Sequence, residues 1–345
     1  MKVRTRHNSD GIALIMVMCA IVVLSALAAA FAYSMKVEAR LAQNANSEEQ
    51  LLWIGVSGVE YCQWILAQEK CPSDSLNQKW AGGSGSVCDT NLMVENPVQV
   101  GDGTFTWKIF DLERKVNINT ANDQNKLILQ ALTLMEVDAN GISVVSDSIL
   151  DWIGPADSPP RAAGAKSDYY QGLNPPYYAK NAPIDDLSEL KYIKGVTEEI
   201  YSGHSTNPPV FHHKLGFGAA PGQAAGNGLG LTNFFTPFSS GKININTADR
   251  NVLQMIPGAE AMADAIIKQR AGPDGMDGTE DDTPFQNVGQ LTAIIGVNPG
   301  PLCDVHSFTY EVHITAQIGD FKREYIAILA RTSATDIQVV SFYWQ

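Results

Sequence analysis

The chain has 345 residues, 45% of them hydrophobic, which is enough to build the cores of two domains. Its formal net charge of −13 at pH 7 argues against a nucleic-acid surface, which requires clustered lysine and arginine. The five cysteines include no C-x-x-C pair, which disfavours zinc and thioredoxin-type chemistry.

An uncharged apolar segment extends from Ile12 to Met35. As a helix it would span about 36 Å, enough to cross a bilayer core of about 30 Å. It is longer than the apolar core of a signal peptide, and an amphipathic helical pattern continues beyond it to about residue 69. The alternative is a signal peptide cut after Ala30 or Ala32. Three preceding basic residues place the leader in the cytoplasm and the body outside: Lys2, Arg4 and Arg6.

This N-terminal region, with a short basic leader ending at Gly11, resembles that of type IV prepilins. The resemblance implies that a prepilin peptidase cuts after Gly11 and N-methylates Ile12. The fifth mature residue of such proteins is normally glutamate, which pairs with the terminal amine of a neighbouring subunit because an unpaired carboxylate is costly in hydrocarbon. In this chain that position is Met16.

The body has strand patterns at both ends of a helix- and loop-rich block. We predict strands at 104–110, 308–315 and 325–330, with a turn at Gly319 and Asp320. The predicted fold is α+β and pilin-like: a long N-terminal helix packs on a small antiparallel sheet that a large, mostly helical domain interrupts. The predicted divisions are a leader at 1–11, a membrane or filament-core helix at 12–35, a first pilin-like part at 36–118, an inserted domain at 119–302 and closing strands at 303–345.

The insertion contains an internal repeat. Residues 115–121 recur as 242–248, and residues 183–196 recur as 284–297. Between the two units, residues 207–241 are rich in glycine and proline and are predicted to form a long loop.

Each repeat unit resembles a helix-hairpin-helix. Thr120 and Thr247 are predicted N-caps, and Gly195 and Gly296 are predicted helix ends. The second hairpin, 257–261, contains a glutamate and no basic residue, so phosphate affinity would be poor. We therefore predict helical packing units without nucleic-acid binding; an exported DNA-binding protein of a competence or pilus-like system is the alternative function.

A glycine-rich loop in the second unit contains five carboxylates within nine residues. Flexible loops rich in oxygen donors suit Ca²⁺, which takes 6 to 8 oxygen ligands. The spacing is not that of an EF-hand, and the alternative is a solvated acidic loop. We predict a structural calcium site with these ligands: Asp274, Asp277, Glu280, Asp281 and Asp282.

Four of the cysteines lie in the body, where export would permit disulfides and three pairings are possible. Cys71 and Cys88 would close a short loop rich in glycine and serine and are the favoured pair. Cys62 and Cys303 would then form the second disulfide.

No catalytic motif of the nucleotide-binding, serine-hydrolase or zinc-protease type occurs in the sequence, and an enzyme is not predicted. Three histidines lie in or beside the glycine- and proline-rich loop without a nucleophile at suitable spacing: His204, His212 and His213.

Taken together, these features resemble the K-type minor pseudopilins of the type II secretion system along nearly the whole chain. The resemblance rests on the leader without a glutamate at position 16, on 151–170, 181–195 and 243–248, and on the closing strands. Gly154 and Lys166 stand where the family pattern has Asp and Glu, while Asp151, Asp157 and Asp168 follow the pattern.

The resemblance implies a structural protein anchored in the bacterial inner membrane with its body in the periplasm. It implies that the protein caps the pseudopilus, helps to initiate its assembly and binds the I- and J-type minor pseudopilins. The other implied partners are the major pseudopilin, the prepilin peptidase, and the secreted substrate or the outer-membrane secretin.

Overall fold

The structure is a computed structural model and describes residues 10–86, 88–89, 91–203, 228–299 and 302–345. The elements before the insertion are helix α1 (Asp10–Gln68) and strands β1 (Val98–Val100) and β2 (Gly103–Asp111). Those of the insertion follow in chain order: β3 (Val116–Asn117), α2 (Leu127–Leu134), α3 (Ala139–Ile153), α4 (Ser167–Gln171), α5 (Glu198–Ser202), α6 (Leu231–Phe234), β4 (Phe235–Thr236), β5 (Ile243–Asn244), α7 (Arg250–Leu253), α8 (Ala263–Arg270), α9 (Val288–Ile295) and β6 (Cys303–Asp304). The chain ends with β7 (Thr309–Ile318), β8 (Phe321–Arg331) and β9 (Ile337–Trp344).

The first unit of the molecule is an antiparallel sheet of order β1-β2-β7-β8-β9, covered on one face by the second half of α1. Alternate side chains of β2 are buried, as expected for a strand with one face on a core. Leu51, Ile54 and Ile65 of α1 pack with Phe105 of β2 and Val312 of β7. The predicted pilin-like α+β fold is therefore confirmed.

The inserted residues leave and rejoin the sheet between two neighbouring strands. β2 and β7 pair over nearly their full length, from Thr104 with Gln317 to Asp111 with Tyr310, so residues 112–308 form an excursion from one end of a strand pair. The excursion has its own buried core, which includes Ile149, Leu190, Phe235, Leu253 and Leu291. Since Val116 and Val305 belong to this second core, it begins earlier and ends later than the predicted 119–302.

The internal repeat is visible in the hydrogen bonds of the insertion. Asn119 brackets the backbone of Ile184: its Oδ1 accepts from the Ile184 amide at 2.7 Å and its Nδ2 donates to the Ile184 carbonyl at 3.0 Å. Asn246 brackets Phe285 in the same way, at 2.8 and 2.9 Å. Each unit also closes with a short parallel strand pair, β3 with β4 and β5 with β6. The predicted repeat is therefore confirmed as two copies of one arrangement.

The helix boundaries within the repeat differ from the prediction. Lys126 and Asp249 occupy the N-cap positions of α2 and α7, while the Thr120 hydroxyl donates to the Asn117 carbonyl and the Thr247 hydroxyl donates to Asp111. Gly296 ends α9 in the left-handed conformation as predicted. The corresponding segment of the first unit, Leu187–Tyr192, is a 3₁₀ helix that ends before the predicted end at Gly195.

The cysteines form one disulfide and not two. Cys71 and Cys88 are joined, with their Cα atoms 5.3 Å apart, which lies in the normal range. The predicted pairing of Cys62 with Cys303 is wrong, because both are free buried thiols. Cys62 packs in the sheet core and Cys303 in the core of the insertion, so each side chain is enclosed by a different set of apolar neighbours.

Candidate assembly, joint and ion sites

The N-terminal half of α1 stands free of the body. Its apolar part is one helix that could span a membrane, with mean hydropathy 2.8 in the most apolar window and none of that window buried. Met16 lies here with 65% of its surface exposed, among other exposed apolar side chains. Gly11 and Ile12 fall in the first turns of the same helix, and residues 1–9 lie outside the described residues. This end of the helix can bind lipid or another helix, but Met16 offers no carboxylate to a neighbouring amine.

The second half of α1 has one face closed against the sheet and one face open. A Cβ at Gly55 would lie 2.5 Å from the Tyr325 ring, and a Cβ at Gly58 would lie 2.7 Å from Ile314, so glycine permits the close packing. On the open face, Trp53 is 63% exposed. Trp64, about three helical turns further along, is 44% exposed. Exposed apolar side chains thus recur on the body half of α1, after a polar stretch at residues 42–50.

A cluster of buried carboxylates joins the sheet to the insertion. Asp111, at the end of β2, accepts hydrogen bonds from the hydroxyls of Thr247 and Ser307 and from Asn244. Glu113 accepts from the Ser240 amide at 2.9 Å and from two amides at the start of β7. Asp111 therefore ties the end of β2 to the insertion, and Glu113 holds residues of the insertion and of the sheet at once. We call Asp111 and Glu113 the joint pair.

The electrostatics of the joint pair follow from burial. Removal from water and the charge of Asp111 raise the pKa of Glu113 to about 8, and burial raises the pKa of Asp111 as well. A third buried carboxylate, Asp74, has a lowered pKa: burial opposes ionisation, but the hydrogen bond from His306 and the charge of Arg331 outweigh it. Burial also lowers the pKa of Lys115 to about 8. None of these groups was singled out from the sequence, because their partners are more than a hundred residues away along the chain.

The predicted calcium loop is ordered by its own hydrogen bonds. Asp281 accepts from the Asp274 amide at 3.0 Å, and Asp282 accepts from the Gly278 amide at 2.8 Å. Asp277 accepts from two nitrogens of the Arg270 guanidinium, at 3.0 and 2.7 Å, so one of the five predicted ligands already has a basic partner.

The five carboxylates are not gathered into one site. Among the described residues, the one group of three possible ligands within 4.8 Å is Glu69 with the disulfide sulfurs of Cys71 and Cys88. The donor chemistry of the loop is that of a calcium ligand set, but Asp277 is already neutralised by Arg270.

The segment 151–170 is built around a buried carboxylate and three cations. Asp151 is fully buried and pairs with Arg161 at 2.8 Å. Lys166 and Lys194 donate to backbone carbonyls of the same loop. Asp157 and Asp168 are exposed and stand apart from this arrangement.

In the described part of the structure, the hairpin of the second helix-hairpin-helix-like unit does not form a phosphate-binding surface. Gly258 forms the hairpin with φ +85, Glu260 is exposed, and Arg250 is paired with Asp264 at 2.6 Å. The hairpin therefore presents a carboxylate where phosphate would bind. The loop histidines 204, 212 and 213 and most of the predicted loop 207–241 lie outside the described residues.

The known proteins that this chain resembles are of one kind. A family model described as type II secretion system protein K matches residues 109–204. Type II secretion system protein K of Aeromonas hydrophila is 22% identical over 353 aligned positions, covering 94% of each chain. A putative type II secretion system protein K of Escherichia coli K12 is 26% identical over 210 positions, covering 56% of this chain and 60% of the relative.

The fold agrees with a solved structure of the same class. The crystal structure of the GspK-GspI-GspJ complex from enterotoxigenic Escherichia coli includes a chain that matches with a TM-score of 0.63 and 16% identity, covering 88% of this chain and 99% of that one. The DNA-binding alternative gains no support from these relatives. The residues of the leader, the interrupted sheet and the relatives support one assignment: the chain is similar along most of its length to the K-type minor pseudopilins of the type II secretion system.

Proposed function

We propose that this minor pseudopilin caps the tip of the pseudopilus together with the I- and J-type minor pseudopilins and helps to start its assembly. The observation that carries the proposal is the excursion of residues 112–308 from between two paired strands. It places a second core beside the sheet, and a subunit of this width cannot repeat along a closely packed fibre. A relative of known structure was crystallised in a GspK-GspI-GspJ complex, with partners of the proposed kind.

The helix end gives a second reason for a terminal position. A shaft subunit needs a carboxylate for the amine of its neighbour, because an unpaired charge is costly in an apolar core. Met16 cannot supply it, so a subunit stacked on this one would leave its amine unpaired. A chain at the tip has no such neighbour to satisfy.

The variant Met16→Glu separates the two reasons. If the width of the insertion excludes the chain from the shaft, the variant remains a minor component of purified pseudopili, in the same ratio to the major pseudopilin as the wild type. Met18→Glu is the matched control, since Met18 is exposed to a similar degree and its carboxylate falls at another helical position. Met16→Glu distributed along the shaft would refute exclusion by width, and gold-labelled wild-type chain along the shaft would refute the tip position itself.

The I- and J-type partners are expected on the open face of α1, where large apolar side chains are exposed on the body half of the helix. Trp53→Ala should weaken co-purification with the I- and J-type proteins, because exposed tryptophans are frequent anchors of interfaces. Trp344→Ala, a change of an equally exposed tryptophan on β9, is the control and should leave co-purification intact. Equal loss in both variants would place the contact elsewhere. The major pseudopilin, and the secreted substrate or the outer-membrane secretin, complete the proposed contacts.

Processing and orientation follow from the leader. Prepilin peptidase is expected to cut between Gly11 and Ile12 and to methylate the new terminus, leaving one helix in the inner membrane and the body in the periplasm. Mass spectrometry of the purified chain should find N-methylated Ile12 as the first residue. A chain that begins just after Ala30 or Ala32 would show signal-peptide cleavage and would remove the anchor.

Calcium is proposed as a structural ion of the acidic loop. The carboxylates of Asp274, Glu280, Asp281 and Asp282 are free of cationic partners in the ion pairs of the described residues, and their oxygens are hard donors of the type that calcium prefers. The ion would neutralise the mutual repulsion of these groups and fix the loop against Leu76 and Ser84, whose segment it already contacts.

Calorimetric titration of the full-length protein should show calcium uptake that Asp281→Asn weakens at least about tenfold, since a charged ligand is lost. Asp320→Asn, in the exposed turn between β7 and β8, is the control. Absence of calcium uptake by the wild type would refute this proposal.

A further inference from the structure

The ammonium group of Lys166 lies in a cage of oxygen atoms at the C-terminal end of α3. Its Nζ is 2.7 Å from the Asp151 carbonyl, 3.0 Å from the Gly154 carbonyl and 2.8 Å from the Pro155 carbonyl. The side-chain oxygen of Asn181 completes the cage at 3.1 Å. Four oxygens thus surround a group that has three N–H donors. Such convergence of carbonyl dipoles is the arrangement that proteins use to hold a dehydrated cation.

The surroundings of the cage are shaped to keep these oxygens in place. The last carbonyls of a helix carry negative partial charge and have no partner within the helix, so a cation is favoured there. Asn181 has φ 50, in the left-handed region, and its Nδ2 donates to the Ala179 carbonyl at 2.9 Å, which directs its oxygen toward the lysine. The Asn181 oxygen is therefore oriented by a contact that does not involve Lys166 itself.

The same segment does not fit a bound metal ion. A carboxylate at position 166 could ligate a metal, whereas Lys166 introduces a positive charge. A Cβ at Gly154 would lie 3.8 Å from the lysine Nζ, so the residue there also faces the cage, but glycine contributes no ligand side chain. Asp151, the one buried carboxylate of the segment, is already neutralised by Arg161. Position 154 therefore contributes no ligand, and position 166 contributes a positive charge that is part of the chain itself.

We propose that Lys166 is a built-in cation that organises residues 151–167 without any ion from solution, and that the cage becomes a binding site for potassium or ammonium ions when this ammonium is removed. The loop then differs in kind from the acidic loop at 272–283, for which an external ion is proposed. Chelators and calcium act on the second loop alone.

The test uses amide hydrogen exchange of the full-length protein in detergent, read on peptides that cover residues 152–170. Lys166→Met keeps the length and apolar stem of the side chain and removes the charge. Exchange in sodium chloride should rise by roughly tenfold or more, because hydrogen bonds to a charged donor are at the strong end of the range. Potassium or ammonium chloride at the same ionic strength should restore at least half of the lost protection.

Two further proteins make the outcome specific. Lys194→Met removes an ammonium that contacts two carbonyls, those of Ala163 and Gly164, and its exchange should be the same in all three salts. Asn181→Gly keeps the lysine and tolerates the left-handed conformation, and it should raise exchange only about twofold, since three carbonyls still serve three donors. This variant provides the measurement if Lys166→Met does not fold.

Four results would overturn the proposal. They are unchanged exchange in Lys166→Met, increased exchange that neither potassium nor ammonium reduces, an increase in Asn181→Gly as large as tenfold, and slower exchange of this segment when calcium is added to the wild type. Wild-type exchange that is identical in sodium, potassium and calcium salts is the expected result.

Discussion

The joint pair predicts an unusual dependence of stability on pH, and Glu113→Gln is the change that tests it. The Glu113 side chain is fully buried, and its carboxylate accepts from the amides of Ser240, Phe308 and Thr309 at 2.9, 3.1 and 2.9 Å. The nearby carboxylate of Asp111 is also buried, and the two groups repel each other when both are ionised. Near neutral pH, the native protein is therefore expected to hold a proton at this pair.

The sign of the effect follows from the raised pKa. Glu113 has a pKa of about 8 in the folded protein, whereas the carboxyl of an unfolded chain titrates near 4.3. Between these values the native state binds a proton that the unfolded chain has released, so the free energy of unfolding falls as pH rises. The stabilisation is complete below about pH 4.3 and lost above about pH 8. A shift of this size corresponds to at most about 5 kcal/mol, and sharing of the proton with Asp111 reduces it to about 2–3 kcal/mol.

Glutamine is neutral at every pH, so Glu113→Gln removes this dependence. The variant is also destabilised by about 1–3 kcal/mol, because the amide nitrogen replaces one acceptor oxygen and leaves a backbone N–H unpaired. The difference between wild type and variant should be largest near pH 5 and should fall by about 2–3 kcal/mol toward pH 8. His306 has a pKa raised by its hydrogen bond to Asp74, so its contribution is present below its unfolded pKa and lost at higher pH, in the same direction. It cancels in the difference because both proteins contain it.

Urea unfolding of the full-length protein in detergent, followed by tryptophan fluorescence at several pH values from 5 to 8, measures the difference. Glu324→Gln, on the exposed part of β8, is the control and should reproduce the wild-type profile. A Glu113→Gln variant that loses stability with pH as steeply as the wild type would refute the buried proton. The pKa of Lys115, lowered by burial to about 8, acts in the opposite sense but only above this range.

Three further outcomes are expected. Gly58→Val should lower the free energy of unfolding by about 1–3 kcal/mol in thermal melts, because its Cβ would lie 2.7 Å from an isoleucine of β7, and no change would mean that α1 can move off the sheet. Arg331→Met should cost about 3–5 kcal/mol, since Asp74 is left as a buried charge without its cation, and the double variant with Asp74→Asn should recover part of this loss. Thiol labelling should reach Cys62 and Cys303 only after denaturation and without any reductant, and a requirement for reductant would show that they are disulfide-bonded.

The fold could be predicted as far as its elements follow from local pattern. β2 alternates between buried and more exposed residues over most of its length, and its pattern is visible in the sequence. β9 was not predicted, because it is an edge strand whose side chains are mostly exposed. It also has a register shift opposite Ile328 and Leu329, so neither of its faces shows a regular apolar pattern. The small strand pairs were missed for another reason: two residues are too few to show a period.

The candidate sites were predictable only where residues are near each other in sequence. The acidic loop was found because its carboxylates are clustered, but its pairing with Arg270 was not, although Arg270 is only seven residues from Asp277, because the sequence does not show which way a side chain at the end of a helix points. The joint pair could not be found at all. Asp111 and Glu113 stand at the end of a strand, where polar residues usually mark a turn, and the partners of Glu113 at the start of β7 are 195 and 196 residues away.

The position of the joint pair explains how an excursion can be both large and firmly held. A domain inserted through two flexible links would swing relative to the sheet, because nothing but chain connectivity would hold it. In this protein, the links enter and leave at adjacent strand ends, Asp111 bonds the end of β2 to the insertion, and Glu113 bonds groups on both sides of the boundary. Rotation of the insertion would leave several buried donors unpaired, and the free energy lost would exceed the conformational entropy gained by the motion. The second core is therefore presented at a fixed angle to α1, which the proposed position at the tip of the pseudopilus requires.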